Sequence, residues 1–224
     1  MKKWVAIVLL LLMATPIFVQ NSARIIVYEN ELAFARMIRR MAEGICLVYS
    51  ERYKTTGFFV SKDGWLITNL HIADKEFISI FKLYIKLDVG LEQVTYESTK
   101  IIPHPTYDLL LVKINYKPKY VFRNFRNPYL FEQNWILGFR FFAGKALSNP
   151  GYVMLDTNKP YLLRTTACGV AGSSGSPVIN SQGVVLGIVV MLYKNTCDTL
   201  FIPASVVKSF LEEKLWRKEK QKGK

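Results

Sequence analysis

Three stretches far apart in the chain carry side chains suited to nucleophilic chemistry. Residues 172–177 read Gly-Ser-Ser-Gly-Ser-Pro, a tight loop in which backbone amides can converge on an exposed hydroxyl. His71 closes the run Thr68-Asn69-Leu70-His71, and Asp108 opens Asp108-Leu109-Leu110-Leu111-Val112. A serine hydroxyl is a poor nucleophile at neutral pH and needs a base whose pKa lies near the working pH. Imidazole, at about 6.5, meets that need. A carboxylate behind the ring fixes its tautomer and stabilises it once protonated. The order His, Asp, Ser therefore assigns Ser174 as nucleophile, His71 as general base and acid, and Asp108 as the group that orients His71. The N–H groups of Gly172 and Ser174 would face the developing oxyanion, with glycine at 172 keeping a Cβ out of the way. The second of the two histidines, His104, sits in Pro103-His104-Pro105, four residues before Asp108, and reads as an exposed loop residue.

These residues need a rigid frame, and the surrounding pattern is β. Thr56–Val60 and Trp65–Thr68 flank Ser61-Lys62-Asp63-Gly64, a hairpin signal. Further strands are predicted at Ile45–Val48, Phe77–Leu87, Val94–Ile102, Leu109–Ile114 and Trp135–Phe142. They continue at Gly151–Leu155, Tyr161–Thr166, Pro177–Ile179, Val184–Leu192 and Leu200–Ile202. A short amphipathic helix is expected over Glu29–Glu43, and another from Ser205, with Ser205 as its N-cap and Val206, Val207, Phe210, Leu211 and Leu215 on one face. Many short strands and one terminal helix give an all-β barrel or sandwich.

The 224 residues, half of them apolar and 13% aromatic, suffice for one ordinary domain or a barrel pair. Met1-Lys2-Lys3 followed by the uncharged run Trp4–Val19 reads as an export signal, either a cleaved signal peptide or an N-terminal membrane anchor over residues 1–23. The catalytic domain is expected outside the cytoplasm, periplasmic, secreted or anchored. The net charge of +13 is spread along the chain, with one dense run, Arg217–Lys224, in a basic tail over 216–224. No nucleic-acid signature accompanies it, so nucleic acid is not expected as a partner; attraction to an anionic membrane surface is the functional alternative to a merely solvated tail. Of the three cysteines, Cys168 lies just before the serine loop and Cys197 beyond the next strand. Either these two form a disulfide across the walls of the site, with Cys46 a buried thiol, or all three are reduced. No metal site or cofactor is expected.

The stretches TGFFVSKDGWLITNLHIADKE, HPTYDLLLVKI, TTACGVAGSSGSPVINSQGVVLGIVVM and LFIPASVVKSFLEE, in that order, resemble HtrA/Deg-type, chymotrypsin-like (trypsin-like) serine proteases. The resemblance runs from about residue 44 to 215. It implies a chymotrypsin-like double β-barrel closed by a C-terminal helix, while the N-terminal helical segment over 24–43 is expected from the apolar spacing alone. It also implies a triad of His71, Asp108 and Ser174 in the cleft between barrels, and Gly172 in the oxyanion hole. Such enzymes usually carry Gly-Asn-Ser-Gly-Gly-Pro, where this chain has Ser173 and Ser176 at the second and fifth positions. The Gly-Ser-Pro ending is shared with glutamyl endopeptidases. Those enzymes place a carboxylate-binding histidine fifteen residues after the serine, where this chain has Val189, so acidic specificity is not expected. HtrA proteins generally carry PDZ domains after the protease, and none is expected here. They are often trimers, which makes an oligomer an open expectation.

Cys168, Val189, Val190 and Met191 are read as the walls of the substrate pocket, giving a preference for small or aliphatic residues on the acyl side of the cut bond. The leading reading is an exported serine endopeptidase acting on polypeptides. A catalytically inactive protease-fold binding module is the alternative.

Overall fold

The computed structural model describes residues 29–50, 53–73, 83–89, 92–140, 144–193 and 196–217. The expected signal segment lies outside them, as does all of the basic tail beyond Arg217. The chain divides into a unit of residues 1–39 and a unit of residues 40–224 that holds every strand among the described residues. Helix α1 spans 29–42, as the apolar spacing predicts. Among the described residues no helix is long and apolar enough to cross a membrane.

The second unit is two seven-stranded antiparallel sheets. The first comprises β1 (Ile45–Tyr49), β2 (Lys54–Phe59), β3 (Trp65–Thr68), β4 (Tyr84–Val89), β5 (Glu92–Glu97), β6 (Lys100–Pro103) and β7 (Leu110–Lys113), in the order β5-β4-β1-β2-β3-β7-β6. The second comprises β8 (Gln133–Arg140), β9 (Gly144–Leu147), β10 (Gly151–Leu155), β11 (Leu163–Thr165), β12 (Pro177–Ile179), β13 (Val185–Leu192) and β14 (Thr199–Pro203). Its order is β10-β11-β14-β13-β12-β8-β9, and pairing of β10 with β8 closes it into a barrel. This is the chymotrypsin-like double barrel.

The β2–β3 hairpin shows how the turn chemistry sets the register. Ser61 donates to the Asp63 carboxylate at 2.5 Å and accepts the Trp65 amide at 2.9 Å, while Gly64 takes φ +94°. Lys113 of β7 pairs with Asp63 at 2.7 Å, which ties the turn to the neighbouring strand. The Val94–Ile102 run is not one strand: it breaks at Ser98-Thr99 into β5 and β6, because the Thr99 amide turns to the Lys113 carbonyl at 2.8 Å.

Each barrel has its own apolar core, one around Phe59, Leu66, Ile85 and Val112, the other around Ile136, Val178, Leu186 and Phe201. Burying each such side chain contributes roughly 1.5–3 kcal/mol. The connection between barrels is stitched to both: Phe122 donates to Phe59 of β2 at 2.8 Å, and Asn124 accepts from Val185 of β13 at 2.9 Å. Phe58 and Phe122 meet edge to face at 4.9 Å. Within the second barrel a Cβ on Gly138 of β8 would run into Ser176 Oγ, so the larger residue in the serine loop is matched by the absence of a side chain opposite; the same Cβ would lie 2.9 Å from Thr56 Oγ1 of the first barrel.

Helix α2 (Ala204–Leu211) buries Ala204, Val207, Phe210 and Leu211 and widens into a π-turn over Glu212–Trp216. Its N-cap is Pro203, not Ser205. The Ser205 amide instead donates to Asn127 Oδ1 at 2.8 Å, so the free helix N-terminus is satisfied by a side chain from the inter-barrel connection.

Candidate active site

His71 and Asp108 meet because β3 and β7 are neighbours. Thr68 at the end of β3 pairs with Leu110 at the start of β7, so the residues just past one strand and just before the other share one end of the first barrel. His71 lies in a single 3-10 turn, Leu70–Ile72, and Asp108 holds it at two points. The His71 amide donates to Asp108 Oδ1 at 2.8 Å, and His71 Nδ1 lies 2.6 Å from Asp108 Oδ2. Asn69 Nδ2 donates to the Asp108 carbonyl at 3.0 Å and adds a third tie. A carboxylate at Nδ1 selects the tautomer with its proton there, which leaves Nε2 as the basic nitrogen. The His71 side chain is 43% exposed and that of Asp108 27%, so the ring has a free edge while its partner sits behind it. Burial pushes the Asp108 carboxyl up, but the hydrogen bond and charge of His71, with the His71 and Leu70 amides, outweigh it and hold the group below the ordinary carboxylate value.

Ser174 comes from the second barrel, in the loop between β11 and β12. Three threonines of the first barrel fix that loop. The Thr56 amide donates to the Ser174 carbonyl at 2.8 Å, and the Thr55 hydroxyl donates to the same oxygen. Thr56 Oγ1 donates to the Gly172 carbonyl at 2.7 Å and accepts the Phe139 amide at 2.9 Å. Thr68 Oγ1 donates to the Thr56 carbonyl at 2.7 Å, which links the serine loop to the strand that ends in His71. Gly175, at φ +76°, is required here: a Cβ would strike the Thr56 carbonyl and lie 2.7 Å from Thr68 Oγ1.

With the carbonyls of Gly172 and Ser174 turned to the threonines, their amides have no acceptor among the described residues. Gly172 takes φ +94°, and Ser173 is locked by its amide to the Val170 carbonyl at 2.9 Å and by its hydroxyl accepting the Val170 amide at 3.0 Å. Ser174 Oγ donates to the Val190 carbonyl at 3.4 Å; among the described residues it makes no hydrogen bond to His71. Contacts of this kind often tighten only once substrate is bound.

The expected pocket residues divide. Cys168 and Cys197 form a disulfide, and Cys46 is a buried free thiol whose pKa burial pushes up to about 12. Val190 presents its carbonyl to Ser174, in a bulge of β13. Met191 is exposed, with Lys159 Nζ 3.4 Å from its sulfur. Val189 points the other way, fully buried in the core of the second barrel, because successive strand residues alternate faces. Leu192 was not singled out by the sequence, yet its side chain sits against Gly169, next to the disulfide. His104, expected exposed, is half-buried against Tyr107 and Phe210 and lines an open cleft of about 310 Å³ with His71 and Asp108.

Two antiparallel barrels, an imidazole–carboxylate pair on one and a serine loop with two orphan amides on the other, define the class of chymotrypsin-like serine proteases. Residues 55–188 match the family described as trypsin-like peptidase domain, and the chain belongs to it. A probable periplasmic serine endoprotease, DegP-like, from Marinomonas sp. (strain MWYL1) is 24% identical over 176 residues. That match covers 70% of this chain but 34% of the relative, so the chain spans about a third of its length. The crystal structure of the serine endoprotease from Yersinia pestis has a TM-score of 0.67 at 19% identity, covering 80% of this chain and 65% of that one. The MamO protease domain from Magnetospirillum magneticum, in its apo form, has a TM-score of 0.63 at 20% identity, covering 77% and 97%. At such identity these two structures establish the shared fold.

Proposed function

We propose that the chain is an exported serine endopeptidase that cleaves polypeptides through a Ser174 acyl-enzyme. The observation that carries this reading is the two-point hold of Asp108 on His71, which commits Nδ1 and frees Nε2 for proton transfer. In the reaction, Ser174 Oγ leaves the Val190 carbonyl and gives its proton to His71 Nε2 while attacking the scissile carbonyl. The amides of Gly172 and Ser174 take the oxyanion, and Asp108 stabilises the imidazolium. His71 then returns the proton to the leaving amine. Water, deprotonated by the same nitrogen, releases the acyl product and restores the hydroxyl.

Export is supported by the basic, then apolar, first nineteen residues and by likeness to a relative named as periplasmic. A disulfide beside the site suits that compartment. The disulfide, Val190, Met191 and Leu192 carry no charge of their own, and Lys159 beside them lies against the Met191 sulfur, so the acyl side of the cut bond is expected to be small or aliphatic.

A peptide library tests both parts at once. The expected result is cleavage concentrated after Ala, Val, Ile or Leu; a strong demand for Arg, Lys or Glu would refute the pocket, and no cleavage of any member would refute the peptidase.

A further inference from the structure

His104 is used by nothing described so far, yet its ring is more tightly specified than an ordinary loop side chain. Its Nδ1 accepts two backbone hydrogen bonds, from the Thr106 amide at 3.1 Å and the Tyr107 amide at 3.0 Å. Pro105 has no N–H, so these are the first two amides the loop can offer after His104. The main chain closes the same loop: His104 donates to the Leu109 carbonyl at 2.9 Å, and Leu109 to the Tyr107 carbonyl at 2.7 Å. Edge contacts to Tyr107, with ring centres 5.1 Å apart, and to Phe210 of α2, at 4.8 Å, fix the ring plane. The residue after Tyr107 is Asp108.

We propose that His104 is a positioning residue for the His71–Asp108 pair, its neutral imidazole pinning through Nδ1 the loop from which Asp108 reaches His71. Its bearing on turnover rests on the peptidase reading; the loop lock itself does not. Only an unprotonated Nδ1 has a lone pair for two N–H groups, so the ring must be the Nε2–H tautomer. Asp108 must satisfy the His71 amide and Nδ1 together, and the carbonyl of Asp108 is also held by Asn69, so a small loop shift degrades all of these contacts.

Protonation of His104 would set a third N–H against the two amides and release the loop. Burial holds the His104 pKa below its ordinary value; Glu213 pulls it up, and Lys214, paired with Glu213, pushes it down. His71 and Asp108 are the other titratable residues, besides Tyr107, that line the cleft with His104. With the folded pKa lowered, the neutral ring stabilises the loop fully above the ordinary value of about 6.5, and that contribution is lost as pH falls through the lower folded value.

The test that needs no turnover is NMR of the Ser174→Ala chain. We expect His104 as the Nε2–H tautomer at neutral pH, and the Thr106 and Tyr107 amide signals to titrate with its ring. In Ser174→Ala/His104→Asn, Oδ1 accepts the same amides as an Asx turn, so both signals should stay flat through that range. An Nδ1–H tautomer, or amides that ignore the ring, overturns the proposal. In the active chain, His104→Ala should lower kcat on the order of 10²-fold with KM little changed. His104→Asn should restore kcat near neutrality and remove the extra acid step from the pH profile; equal loss in both variants would also overturn it. If the NMR result holds while no variant cleaves peptide, the lock stands and the peptidase reading falls.

Discussion

Ser174→Ala is expected to abolish peptide turnover, by on the order of 10⁶ in kcat, while the folded chain melts almost where the parent does. The rate effect is large because the variant has no atom to form the acyl-enzyme. What remains is the weaker catalysis available from the two amides and from binding alone. The stability effect is small because the hydroxyl makes one hydrogen bond among the described residues, of 3.4 Å and worth about 1 kcal/mol or less. The contacts that hold the loop run through the Ser174 carbonyl, which alanine keeps. Turnover and a thermal melt on one preparation check both halves. Turnover within tenfold of the parent would mean that another group attacks the substrate.

Asp108→Asn should cost on the order of 10⁴ in kcat with little change in backbone position. An amide nitrogen facing His71 Nδ1 turns the ring to the opposite tautomer, placing the proton on Nε2, where it cannot act as base. The Asn69 bond to the residue 108 carbonyl survives, so the loss is electronic before it is structural. The pH dependence of stability gives a second reading. The folded carboxyl lies below its ordinary value, so its contribution is present above about 3.9 and disappears as pH falls through the lower folded value. The Asn variant should lack that acid-side loss. A kcat within a few-fold of the parent would mean that some other residue orients His71.

The positions of the proposed site residues are the part that local sequence signals describe. His71, Asp108 and Ser174 stand at ends of strands or in a Gly-rich turn, and strand periodicity with turn signals suffices to place them. The β2–β3 hairpin was legible for the same reason: Ser61, Asp63 and Gly64 act on their own turn. Contacts made across the fold left no local trace. Thr55 and Thr56 look like ordinary strand residues, and only their partners 116 to 119 positions away make them the clamp of the serine loop. Asn127, which accepts the Ser205 amide from 78 positions away, is hidden likewise, and the sequence alone offers Ser205 as the cap. The split of Val94–Ile102 has no signal in the sequence, because Ser98-Thr99 carries no glycine or proline and the turn is made by a bond to Lys113. The two amides that His104 accepts leave no trace in the sequence, where such a histidine looks like any other.

The central claim is that the hydroxyl of Ser174 is made nucleophilic by the imidazole of His71. Labelling with a fluorophosphonate, read by intact mass and peptide mapping, tests it most directly. One adduct per chain, on Ser174 and absent from both Ser174→Ala and His71→Ala, is the predicted result. A parent chain that stays unlabelled under conditions that saturate other serine proteases, or an adduct formed equally well without His71, would contradict it.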